Sequence, residues 1–161
     1  MQTRLRRACY SAFAGVLAAV LAGTVLAQAA DPQVGTWKLN ASKSKISPGS
    51  PRNDTVVYTM VGDNMKVTVD GVDGSGKPAH NEWTGKFDGK DHPVMGDPDS
   101  DARSYARVND HTLTLTLKKG GKVTSTGRIV VAPDEKSRTV TTSGTDAQGK
   151  KITATAVYDK Q

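Results

Sequence analysis

The chain has one cysteine, Cys9, among its 161 residues, and nothing with which to pair it, so a disulfide scaffold is excluded. Aromatic residues make up only 5% of the sequence, which leaves little for an exposed stacking platform, and nucleic-acid binding is not expected. After residue 30 no apolar run is long enough to cross a bilayer as a helix, which excludes a polytopic helical membrane protein. Charge of one sign is also missing. The 24% of charged residues are mixed, against the pattern of a disordered polyelectrolyte. The length suits one domain with one core.

The one long apolar run is N-terminal. Arg4, Arg6 and Arg7 precede the uncharged stretch from Ala12 to Leu26, and small residues follow in Val25-Leu26-Ala27 and Ala27-Gln28-Ala29. That order is the pattern of a secretory signal peptide. A retained anchor is the alternative, but the run is short and rich in Ala and Gly. Cys9 precedes the run and so cannot be a lipidation site, and Arg6-Arg7 lacks the surroundings of a twin-arginine signal. We therefore expect residues 1–30 to direct general export. The mature domain, 31–161, would begin between Gln28 and Asp31, with a periplasmic or secreted location and no stable membrane insertion after processing. The three arginines of that segment account for half of the formal +6, leaving 19 basic and 16 acidic residues and a mature charge of +3. Without a mature cysteine there is neither a disulfide nor a thiolate nucleophile.

Beyond residue 31 the pattern is strands and turns, with no amphipathic helix. Turn residues recur at Gly62-Asp63-Asn64, Asp73-Gly74-Ser75-Gly76, Asp88-Gly89, Asn109-Asp110, Gly120-Gly121, Pro133-Asp134 and Gln148-Gly149. Between them, Leu113, Leu115 and Leu117 alternate with Thr112, Thr114 and Thr116; Met65, Val67 and Val69 alternate with Lys66, Thr68 and Asp70. Period two separates an inner from an outer face. The 16 threonines after residue 30 favour extended backbone. Expected strands are 34–39, 54–61, 65–72, 80–87, 103–108, 112–118, 122–132, 137–145 and 150–159, with loops over 40–53 and 91–101. The fold class is all-β: one antiparallel up-and-down barrel of 8–9 strands, which hides one apolar face and removes free edges. A two-sheet sandwich is the alternative.

The two ends of the domain carry a resemblance. Val34-Gly35-Thr36-Trp37-Lys38-Leu39 resembles the first strand of the calycin superfamily, the lipocalins and fatty-acid-binding proteins, with Gly35 and Trp37 as its Gly-x-Trp signature. Thr155-Ala156-Val157-Tyr158-Asp159-Lys160 is similar to the last strand of the fatty-acid-binding branch. The resemblance implies a lipocalin-like barrel in which Trp37 closes one end under a basic side chain, Arg138 or Lys160. It also implies Tyr158 as a ligand contact. Ala156 stands where that branch has an arginine for the ligand carboxylate, and 40–53 is too short and proline-broken for its helical lid.

Catalytic and metal chemistry find little footing. Asp97, Asp99 and Asp101 imitate a calcium loop, but Ala102 and Val108 occupy the positions where its Gly and Glu belong, so a solvated acidic turn is expected. His80, His92 and His111 lack zinc-ligand spacing. No serine sits in a Gly-x-Ser-x-Gly turn, and Asp70 and Glu82 are out of phase with the inner face. Arg103, Tyr105 and Arg107 share a face, expected to be an outer, solvated one; an anion-binding set at the barrel mouth is the alternative. Neither an enzyme, a metal site nor a cofactor is expected. The inner phase holds Tyr58, Trp83, Phe87 and Tyr158 among small residues such as Gly85, Ser125, Gly127, Thr142, Gly144, Ala154 and Ala156. These four rings are the expected lining of a pocket for a small, mostly apolar ligand. The alternative is a filled barrel serving as a structural or interaction module of the cell envelope.

Overall fold

A computed structural model describes residues 30–145 and 151–161. The expected export segment through residue 29, with its cleavage motifs, and the Gln148-Gly149 turn lie outside them. Within them the alternating sequence forms ten strands: β1 Gly35–Leu39, β2 Arg52–Val61, β3 Asn64–Val72, β4 Pro78–Gly85, β5 His92–Met95, β6 Ala102–Asn109, β7 Thr112–Lys119, β8 Lys122–Val131, β9 Ser137–Thr145 and β10 Lys151–Lys160. Each pairs antiparallel with its chain neighbours, and β1 also pairs with β10, so the sheet is a closed up-and-down barrel.

The strand count exceeds the expected 8–9 because the supposed loop over 91–101 contains β5. That strand has four residues and an internal proline, and it makes two register pairs with β4 and two with β6. Proline supplies no amide to a ladder, and so short a segment shows no alternation. The remaining strands follow the expected pattern within a few residues. Outward threonines line up across strands, as in the rows Thr116–Thr126–Ser143–Thr153 and Thr114–Arg128–Thr141–Thr155. Such cross-strand pairs of β-branched residues support a sheet whose outer face is wet.

The up-and-down order gives the barrel two unlike ends. One carries the start of β1, the end of β10 and the β2–β3, β6–β7 and β8–β9 turns, and it is sealed. Trp37, Leu113, Ile129 and Val131 are buried there, and the segment before β1 folds across it. Gln33 is fully buried, its carbonyl accepting from Trp37 Nε1 at 2.9 Å, and Asp31 pairs with Arg107. Toward the other end burial falls along each strand of one wall: from Leu113 to the half-buried Leu115 and Leu117, and from Tyr158 to the half-buried Ala154 and the exposed Ile152. Met60 and Ile152, in phase with the inward residues of β2 and β10, are exposed near the ends of their strands.

Trp37 lies under both basic residues anticipated for it. The Arg138 guanidinium carbon is 4.8 Å, and Lys160 Nζ 5.1 Å, from its ring. Gly35 makes room for the second: its φ is +133°, and a Cβ there would stand 2.8 Å from Lys160 Cε. Trp37→Ala is expected to cost about 3–5 kcal/mol, as for other large buried aromatics. Urea unfolding measures this, and a loss below about 1 kcal/mol would contradict the placement.

Candidate functional site

The inward side chains fall into two groups, each built around a buried arginine. In the first, Arg138 from the start of β9 is almost fully buried, and its guanidinium carbon lies 4.8, 4.7 and 5.0 Å from the rings of Trp37, Tyr58 and Tyr158. Pairing explains the convergence. Trp37 opposes Lys160 on β10 and Val56 on β2, and Tyr158 opposes Arg138. Among the described residues no carboxylate pairs with Arg138, and its Nε and Nη1 have no hydrogen-bond acceptor. The ring faces supply the compensation, since their quadrupoles attract a desolvated cation.

The second group lies on the other wall. Arg103, Tyr105 and Arg107 face inward, which corrects the expected outer face. Arg103 and Tyr105 are buried, while Arg107 reaches the sealed rim, 5.1 Å over the Phe87 ring. Register gives the reason: Arg103 opposes Leu117, Tyr105 opposes Leu115 and Arg107 opposes Leu113, and directly opposed residues share a face. Arg103 Nη2 donates to Asp97 Oδ2 at 3.1 Å and to Asn81 Oδ1 at 3.2 Å. The Asp97 side chain is 11% exposed, so the expected solvated acidic turn instead turns its first carboxylate inward. Burial works to lower the Arg103 pKa, but Tyr105 and Asp97 outweigh it and hold the guanidinium firmly charged.

The four sequence-selected rings are split between these groups. Trp83 and Phe87 pack with Tyr105, their centroids 4.7 and 5.6 Å from its ring, and Trp83 Nε1 donates to the Arg103 carbonyl at 2.8 Å. Tyr58 lies between the groups, 6.4 Å from both Phe87 and Tyr105. Tyr158 belongs to the first group and donates its hydroxyl to the Asn53 carbonyl at 3.1 Å. Tyr158 borders a crevice of about 90 Å³ between β9, β10 and the start of β2, where Thr142, Ala154 and Ala156 leave space. A second hollow, about 170 Å³, lies under the β1–β2 connection, among Leu39, Ala41, Ser44, Ile46 and Arg52.

The histidines are apart. His80 is exposed on the outer face with Nδ1 2.6 Å from Asp70 Oδ1, His92 meets the edge of Trp83, and His111 offers its carbonyl to Gln33. Among the described residues no group of His, Cys, Asp and Glu is arranged to hold a metal ion.

The buried hydroxyls give a pH signature. Burial raises the pKa of both Tyr58 and Tyr158, against the opposing charge of Arg138, and pushes Tyr158 up to about 12. An unfolded tyrosine ionises near pH 10 and so holds fewer protons than the native one above that pH. Stability that is complete below pH 10 therefore falls from about pH 10 to about pH 12. Phenolate absorbance during alkaline titration should rise for these two tyrosines together with unfolding. Ionisation of all the barrel's tyrosines near pH 10 in the folded protein would contradict the burial of Tyr58 and Tyr158.

No protein-family model matches the chain, and no curated protein matches it.

Proposed function

We propose that the protein is a non-enzymatic, exported, lipocalin-like barrel that works as an interaction module of the cell envelope, with a filled interior. The packing of the inward rings carries this reading: Trp83, Phe87, Tyr105 and Tyr58 face one another, and Trp37, Tyr58 and Tyr158 face Arg138. The two hollows described above, about 90 and 170 Å³, are both below the roughly 300–1,000 Å³ of ligand pockets. The export pattern of residues 1–30 supports an envelope location. Kinship with the calycins is supported by Gly35 and Trp37 on the strand beside the last one, and by the basic side chains stacked on Trp37. The absence of catalysis is supported by the buried ionisable groups, which are committed to packing and to the Asp97 ion pair.

A second reading, binding of a small, mostly apolar ligand, draws on one feature. Thr142, Ala154 and Ala156 leave a gap beside Tyr158, in which a small apolar group would find space. Titration with an environment-sensitive hydrophobic dye separates the two. The filled barrel predicts no saturable binding by the folded protein. Saturable binding that Ala156→Leu abolishes by occupying the crevice would overturn it in favour of a ligand carrier.

A further inference from the structure

If the interior is filled, the working surface is outside, and the rim opposite the sealed end is a candidate because it combines exposed lysines with exposed aliphatic side chains. The β7–β8 hairpin reaches this rim through Lys118-Lys119-Gly120-Gly121-Lys122, and β10 begins there with Lys151. Lys119, Lys122 and Lys151 are exposed. Their neighbour Lys118 is held by Asp91 at 2.6 Å, whereas these three pair with no carboxylate among the described residues. The acid at the hairpin tip is Asp101, whose carboxylate accepts from the Gly120 amide at 2.8 Å.

Two aliphatic side chains stand among these lysines. Val123 and Ile152 are 57% and 40% exposed. Ile152 continues the inward phase of β10 past the point where the core ends. Gly144 opposes both Ser125 and Ile152, so no β9 side chain screens the rim between β8 and β10 there. Exposed aliphatic residues on the same rim as lysines that pair with no carboxylate among the described residues match the interface of an anionic bilayer, where apolar groups enter the headgroup layer and ammonium groups meet phosphates. A nucleic acid fits less well, because Trp37, Trp83, Tyr58, Tyr105 and Tyr158 are all buried and none can stack on a base.

We infer that this rim docks on the surface of an anionic lipid bilayer, with Val123 and Ile152 in the headgroup layer and Lys119, Lys122 and Lys151 against lipid phosphates. This names a partner for the interaction module proposed above and rests on that reading only in taking the outside of the barrel as its working surface. Dye titration and vesicle binding test the two separately.

The experiment uses protein beginning at Ala30, which contains every strand of the barrel, in co-sedimentation with vesicles. Binding is expected to vesicles of phosphatidylglycerol and phosphatidylcholine, weakening as salt rises, and not to phosphatidylcholine alone. The triple variant K119Q/K122Q/K151Q should bind the anionic vesicles about a hundredfold more weakly, from about fivefold per lysine. V123S/I152S should weaken vesicle binding while leaving retention on a polyanion column unchanged. All five positions are on the surface, and a circular dichroism spectrum matching the parent confirms that the variants fold. No binding to anionic vesicles at low salt, or a triple variant that binds like the parent, overturns the proposal. If V123S/I152S binds vesicles as well as the parent does, the surface is a site for soluble polyanions and the bilayer assignment falls.

Discussion

Removing the guanidinium of Arg138 from water without a carboxylate beside it would cost several kcal/mol if nothing compensated. The faces of Trp37, Tyr58 and Tyr158, all within 5.0 Å of its central carbon, do so, each contributing up to about 2 kcal/mol once desolvated. The three rings and the arginine come from β1, β2, β10 and β9, the four strands that meet where the chain's ends close the barrel. β1 is only five residues long and makes three register pairs with β10. The side-chain cage therefore holds a closure that a short ladder holds weakly.

This arrangement limits what the interior can do. A ring face turned to a guanidinium is not available to a ligand, and Tyr58 and Tyr158 each present a face to Arg138. On the opposite wall Arg103 is neutralised by Asp97, which draws the β5–β6 connection over the interior, and Trp83 is tied to the Arg103 carbonyl. Two buried cations and six inward rings occupy much of a cross-section that a barrel can otherwise leave hollow. On the filled-barrel reading proposed above, recognition belongs to the outside, where threonine rows that include Arg128 cover the wall and the rim opposite the sealed end combines lysine with aliphatic side chains.

Much of the fold was legible in the alternation of residues. Leu113, Leu115 and Leu117 against three threonines define β7 almost by themselves, and Gly35, Trp37 and Tyr158 mark the strands that close the barrel. β5 was not legible, because His92-Pro93-Val94-Met95 is too short to alternate and depends on its neighbours for pairing. The inward direction of Arg103 was concealed by its charge, which ordinarily places a residue outside. Its burial depends on Asp97, six residues away in a turn that composition marks as solvated. The Asn109-Asp110 turn carried no signal of it: continued without a break, the Asn109–Thr112 pair would set Arg103 opposite Lys118, and the irregularity between Arg107 and Asn109 shifts the register by one and places it opposite the inward Leu117. Alternation also assigned Tyr58, Trp83 and Phe87 to the inner face, but a face is not a neighbourhood. Whether rings line a hollow or pack on each other depends on which strands curve together, and period two does not contain that.

The central claim is that Arg138 is held by aromatic faces, and a double-mutant cycle tests it most directly. Arg138→Met keeps an unbranched apolar side chain of similar reach, and Tyr58→Leu removes one ring while keeping the position buried. Urea unfolding of the parent, both single variants and the double variant yields their coupling energy. The cage predicts a favourable coupling of about 1–2 kcal/mol between guanidinium and ring. Additive losses, with a coupling within about 0.3 kcal/mol of zero, would show that Arg138 and Tyr58 merely share a space, and the account of barrel closure would fail.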